Sequence, residues 1–181
     1  MASNDHPDLH VVLGATGGIG SAITRELVAQ GLPTRAVSRS GATVDGGAEA
    51  VAADVSDPAE ARRAVEGASV VYHAAQPAYH RWVQEFPAMN HSVIEAVGSV
   101  GGRLVYVDNL YLYGPTTDAR TEETPQRATD KKGVLRAKLA SELLAANERG
   151  DLSVVIGRLP DYFGPGGLGS ATGDLFFDAA V

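Results

Sequence analysis

Three glycines stand at a spacing that has a chemical meaning. Gly14-Ala15-Thr16-Gly17-Gly18-Ile19-Gly20 follows directly on the apolar run Leu9–Leu13. A glycine triplet of this form, between a buried strand and an amphipathic helix, is a dinucleotide-binding fingerprint. Gly14 permits a tight turn out of the strand, Gly17 lets the backbone approach a pyrophosphate, and Gly20 lets the helix pack closely on the sheet. The pyrophosphate of a nicotinamide dinucleotide then rests on the N–H groups and positive dipole end of a helix beginning near Gly18. The end of the second strand adds a charge argument. An NAD-selective site usually carries an acid there to grip the ribose hydroxyls. Here the stretch reads Ala36-Val37-Ser38-Arg39-Ser40, with no acid before Asp45. Arg39 can pair with a 2′-phosphate through charge-assisted hydrogen bonds, and Ser38 and Ser40 add hydroxyls. The expected cofactor is therefore NADP, with NAD left open. A solvated surface arginine is the competing reading of Arg39.

Short apolar runs alternate with longer helical segments, which predicts an α/β fold: a Rossmann-type, doubly wound parallel sheet with helices on both faces. The predicted strands are Leu9–Leu13, Thr34–Ser38, Ala50–Ala53, Ser69–Ala74, Arg103–Val107 and Ser153–Gly157. Ile19–Gln30 carries Ile19, Ile23, Leu27 and Val28 at helical spacing and stops at Gly31. Asp57-Pro58-Ala59-Glu60 is a helix start, with a capping Asp and Pro in the first turn. Phe86–Val100 and Thr129–Arg149 complete the helices. Residues 1–170 read as one dinucleotide-binding domain. Residues 171–181, with the adjacent Phe176 and Phe177, read as the start of a C-terminal lobe that this chain largely lacks, so the expectation is the front part of a longer protein.

The 181 residues contain no cysteine, which removes disulfides, thiolate metal sites and cysteine nucleophiles. A net charge of −7 argues against non-specific nucleic-acid binding, which depends on Lys and Arg. The polar opening lacks the apolar core of a signal peptide and no run is long enough to span a membrane, so a cytoplasmic location is expected. No metal-ligand spacing is present.

Further motifs follow in order: Asp54-Val55 after the third strand, His73-Ala74-Ala75 after the fourth, Asn90 in the next helix, Tyr113-Gly114-Pro115 after the fifth strand, and Gly157-Arg158-Leu159-Pro160 with Phe163-Gly164-Pro165-Gly166 after the sixth. Together with the glycine loop they make the chain resemble the short-chain dehydrogenase/reductase superfamily, in its extended, epimerase/dehydratase-like, and atypical branches. The resemblance implies that Asp54 and Val55 lie at the adenine, Ala74 and Ala75 line the nicotinamide ribose, and the stretch Leu159 to Tyr162 lies near the carboxamide. Strand-end packing is the alternative for the two alanines, and a helix-leading turn for Asp54.

The same resemblance implies catalysis by a Ser or Thr, a Tyr and a Lys, and here the pattern breaks. Lys138 and Glu142 have the family's spacing, but Val134 stands where the Tyr is expected, and valine cannot transfer a proton. Asn109 stands at the hydroxyl position, where it can still orient a substrate by hydrogen bonding. Lys138 carries over as a ribose-binding residue. Tyr111 alternates with Asn109 along what reads as an extended segment, which makes it a substitute proton donor, a buried aromatic being the alternative. Asp108 reads as a strand-end turn carboxylate rather than a base. Tyr79-His80-Arg81-Trp82 reads as a surface loop with one anchoring aromatic. Two functions follow: an NAD(P)-dependent oxidoreductase or epimerase/dehydratase-like enzyme acting on a carbonyl or hydroxyl of a small molecule, or a non-catalytic NADP(H)-binding sensor on the same fold. A homodimer is compatible with both.

Overall fold

Parallel strands β1 (Leu9–Leu13), β2 (Thr34–Ser38), β3 (Glu49–Ala52), β4 (Ala68–His73), β5 (Arg103–Asn109) and β6 (Ser153–Leu159) form a single six-stranded sheet in the order β3-β2-β1-β4-β5-β6. This computed structural model describes residues 8–161. The helices are α1 (Gly18–Ala29), α2 (Pro58–Val65), α3 (Trp82–Val100) and α4 (Lys131–Glu148). Strand alternation assigns them to faces. Val11 and Leu13 point to one side, into a core shared with α2, α3 and α4. Val12 points to the other, where Leu27 of α1 and Ala36 cover it. The chain runs from β1 outward through β2 to β3 and then returns to place β4 on the other side of β1. That reversal leaves a crevice beyond the carboxyl ends of β1 and β4, where open α/β sheets bind ligands.

The predicted strands are all present: β1 and β2 have the expected bounds, and the other four have ends shifted by one or two residues. The larger differences lie around α3 and β5. The helix begins at Trp82 rather than Phe86, fed by a 3-10 turn at Tyr79–Arg81. So Tyr79–Arg81 is an exposed 3-10 turn rather than an irregular loop, and Trp82 is its anchoring aromatic, buried with its indole N–H donating to the Pro77 carbonyl. Pro87 sits inside the helix, which continues past it because Phe86, Met89, Asn90 and Val93 bury one face. Asp57 caps α2 as expected, its carboxylate accepting from the N–H groups of Ala59 and Glu60 at 2.8 and 3.0 Å. In α4, Leu135, Leu139 and Leu143 recur every fourth residue and are buried. Truncating Leu139 to Ala would cost about 2–5 kcal/mol. Among the described residues no helix is long and apolar enough to cross a membrane.

Candidate active site

The glycine loop is anchored on both neighbouring strands. The N–H groups of Gly14 and Ala15 donate to the Val37 carbonyl at 2.9 and 3.0 Å, and Ala74 N–H donates to the Leu13 carbonyl at 2.9 Å. Gly14 has φ +82°, and a Cβ there would stand 2.5 Å from the Ala75 nitrogen. The exits of β1 and β4 therefore cross at a distance that only glycine permits. A Cβ on Gly20 would drive into the Gly14 carbonyl oxygen, so α1 lies directly against the loop. Gly17 precedes α1 with no side-chain cap, and the first turn carries no acid. The N–H groups of Gly18, Ile19 and Gly20 are first-turn donors with no partner inside the helix, a ready anion site. By contrast Asp57 and Asp130 cap α2 and α4. Thr16 is exposed beside them.

Other residues of the expected cofactor set lie along the same edge. Ser38 is buried, with Oγ 3.4 Å from Ser40 Oγ, and Arg39 is exposed immediately after β2. Asp54 is exposed, but its Oδ1 accepts from Ser56 N–H at 2.9 Å and its own N–H donates to Glu60 Oε2 at 2.7 Å, so it does form a helix-leading turn. The Val55 side chain is committed to the core. Ala74 and Ala75 are half-buried against Gly14.

Beyond β5 and β6 a cavity of about 420 Å³ opens, with Tyr79, Tyr111, Arg120, Asp130, Leu159 and Asp161 among its lining residues. The extended reading of the segment through Tyr111 is wrong. Asn109 Oδ1 accepts from Tyr111 N–H at 3.0 Å, and this side-chain bond turns the chain into a 3-10 turn at Tyr111–Tyr113. Tyr111 is half-buried in the cavity wall. Burial first, then the neighbouring Tyr79 phenol and the Asp161 carboxylate, push its phenol up to about 12. It is thus protonated and able to donate at neutral pH. Lys132 Nζ lies over the Tyr79 ring, 2.7 Å from its centroid.

Asp108 also departs from expectation. It is not a turn carboxylate but sits 3% exposed at the inward-facing end of β5, ion-paired to the equally buried Arg136 of α4 and to Arg158 of β6. Arg136 Nε donates to Asp108 Oδ1 at 2.7 Å, and its guanidinium packs on the rings of Trp82, Phe86 and Tyr106. Asn90 bonds no strand backbone; its Nδ2 donates to Glu142 Oε2 at 3.0 Å. Near this cluster, burial and then Arg136 lower the fully buried His73 to about 3, and neither ring nitrogen has a hydrogen-bond partner among the described residues.

A sequence model of the NAD-dependent epimerase/dehydratase family matches residues 10–178. The chain belongs to this family. A dTDP-6-deoxy-L-talose 4-dehydrogenase (NAD(P)(+)) from Kitasatospora kifunensis is 28% identical, over 91% of this chain and 56% of its own. The protein MoeE5, solved in complex with UDP-glucose and NAD, is 27% identical with a TM-score of 0.71, over 88% of this chain and 56% of its own. UDP-glucose 4-epimerase from Brucella ovis, solved with NAD, has a TM-score of 0.74 over 83% of this chain and 51% of its own, at 19% identity that speaks to the fold alone. The chain spans about half the length of these relatives.

The two α4 residues that the resemblance singles out face solvent. Val134 is half exposed, and the Lys138 side chain is 67% exposed, with Nζ 4.0 Å from Glu142 Oε1. Tyr111 and Leu159 line the cavity; Lys138 and Asn109 are not among its lining residues. The buried Arg136–Asp108 pair, flanked by the part-buried Arg158, escaped the sequence reading, although the alternation Leu104, Tyr106, Asp108 in β5 points Asp108 inward and so calls for a buried cation. Tyr162, the Phe163–Gly166 motif and residues 171–181 lie outside the described residues.

Proposed function

We propose that this chain forms the dinucleotide-binding part of an NAD(P)-dependent oxidoreductase of the epimerase/dehydratase kind, acting on a carbonyl or hydroxyl group of a small molecule. One observation carries the reading. The uncapped start of α1 and the glycine-tight crossing of Gly14 with Ala75 form a cradle at the β1–β4 switch point. One strand further along the same edge, a cavity presents a protonated phenol.

Gly14, Thr16, Gly17, Gly18, Ile19 and Gly20 hold the pyrophosphate. Ser38 and Arg39 hold the ribose phosphate of NADP, Asp54 and Val55 the adenine, and Ala74, Ala75, Lys138 and Leu159 the nicotinamide end. MoeE5, solved with NAD, and the relative named for NAD(P)(+) support a nicotinamide dinucleotide of either kind. When bound, it supplies or accepts a hydride. Tyr111 gives a proton to the carbonyl oxygen in reduction and takes it back in oxidation. Asn109 orients that oxygen through Nδ2, its Oδ1 being engaged by Tyr111 N–H. On this reading residues 1–170 form the cofactor domain and residues 171–181 begin the substrate lobe.

The test is nicotinamide absorbance with NADPH or NADH and a panel of UDP- and dTDP-linked hexoses, keto sugars and simple carbonyls. Tyr111→Phe should lower turnover by about 10²–10⁴-fold, the usual worth of a positioned proton donor, with cofactor affinity unchanged. Val134 and the exposed Lys138 favour a second reading, a cofactor-binding sensor without chemistry. Cofactor binding together with no hydride transfer to any member of the panel would select it.

A further inference from the structure

The buried charges around Asp108 converge on the turn that carries Tyr111. Asp108 Oδ1 accepts from Arg136 Nε at 2.7 Å and from Asn109 N–H at 2.8 Å, and Asn109 Oδ1 in turn accepts from Tyr111 N–H. On the far side, Arg158 Nε stands 3.5 Å from Asp108 Oδ2, and its NH1 donates to the Tyr113 hydroxyl at 2.8 Å. The Tyr113 hydroxyl itself donates to the Thr121 carbonyl at 3.3 Å. Arg136 also reaches Tyr111 through an aromatic contact. Its guanidinium lies 5.4 Å from the Trp82 ring, and Trp82 lies 6.2 Å from the Tyr111 ring. From above, α4 closes on the same turn, because a Cβ on Gly133 would stand 2.7 Å from the Tyr111 carbonyl oxygen.

A buried triad of this kind is poor evidence of stability. Replacing buried ion pairs with apolar residues of similar volume is often neutral or stabilising. What an apolar replacement cannot supply is direction: it would leave the Asn109 N–H without its carboxylate and Tyr113 without its guanidinium. We infer that Arg136, Asp108 and Arg158 form a clamp that positions the Tyr111–Tyr113 turn, with Arg136 and Asp108 acting as positioning residues for Tyr111. Arg136 lies two residues beyond Val134 on α4. The helix that lacks a reactive phenol thus fixes one supplied by the loop after β5.

The inference rests on the proposed role of Tyr111, but its test reads the ring and not turnover. In the 181-residue chain with ¹³C-labelled tyrosine and tryptophan, ring-to-ring nuclear Overhauser effects between Trp82 and Tyr111 report the placement, and NADPH and NADH titrations report the cofactor edge. The double variant Asp108→Leu/Arg136→Met should unfold cooperatively and keep cofactor affinity within threefold of wild type, yet lose the Trp82–Tyr111 effect. Retention of that effect in the folded double variant would overturn the clamp. If the double variant does not fold, Arg136→Lys decides: it keeps the charge and loses the two-point contact. Weakening of the effect in Arg136→Lys supports the clamp, and a wild-type signal refutes it. Loss of turnover in Tyr111→Phe is a separate result, so failure of the clamp and failure of the proposed function are told apart.

Discussion

At the exits of β1 and β4 the site is shaped by backbone. Gly14 at φ +82°, its contact with Ala75, and Gly20 against the Gly14 carbonyl leave no room for side chains. At the exits of β5 and β6 it is shaped by buried charge, with Asp108 held between Arg136 and Arg158 and a 3-10 turn hung from them. The contrast bears on how a fold keeps one task while changing another. A backbone cradle depends on a few residues close in sequence and tolerates little. A side-chain clamp draws residues 28 positions apart, so its members can be exchanged as a set.

The largest effect that separates the two edges comes from the charge. Asp108→Ala leaves the buried guanidinium of Arg136 and the part-buried one of Arg158 without their carboxylate, and should cost about 3–5 kcal/mol in chemical denaturation. A loss below about 1 kcal/mol, the value of an exposed pair, would mean that the charges are not buried as a unit. At the backbone edge, Gly14→Ala forces an alanine to positive φ, at about 1–3 kcal/mol, and pushes Ala75 aside. Cofactor affinity should fall at least tenfold. Gly31→Ala is the control: its φ is +72°, with no atom of the described residues within 4 Å of the added Cβ. It should cost stability and leave binding alone. Equal loss of binding in both would contradict the contact argument.

A smaller, graded effect belongs to His73. Its folded-state value near 3 lies below the ordinary 6.5, so the unfolded chain binds the proton first. Stability is complete above about pH 6.5 and falls as the pH drops from there toward 3, by about 1.4 kcal/mol per unit from this group. His73→Leu should remove that part of the acid slope in pH-dependent denaturation. It should also keep stability at pH 7 within about 1 kcal/mol of wild type, because neither nitrogen has a partner to lose among the described residues. An unchanged slope would show that the imidazole does not titrate on unfolding.

The same contrast explains what could be read in advance. The glycine loop was legible because its requirement is local: strand, turn and helix start lie within twelve residues, Leu9 to Gly20. The cap at Asp57 and the helical repeat Ile19, Ile23, Leu27 and Val28 of α1 were legible for the same reason. The turn at Tyr111 was not, because one side-chain bond from Asn109 outweighs the alternating pattern that suggested a strand. The start of α3 lies four residues earlier than the sequence suggests, because tertiary burial of Trp82 and Phe86 holds the first turn ahead of Pro87. Arg136 looks like any polar helix residue until β5 supplies Asp108 opposite it. Val134 and Lys138 lie on a helix as expected, but only the packed fold shows them turned toward solvent.

The most direct test of the central claim, that the β1–β4 edge binds a nicotinamide dinucleotide, is calorimetric titration of NADPH and of NADH into the wild-type chain and Arg39→Ala. The account predicts saturable one-to-one binding, with NADPH affinity in Arg39→Ala reduced about tenfold or more, as expected for loss of a charged hydrogen bond worth about 1.5–3 kcal/mol, and NADH affinity unchanged. Absence of heat with either dinucleotide in the folded wild-type chain would contradict it.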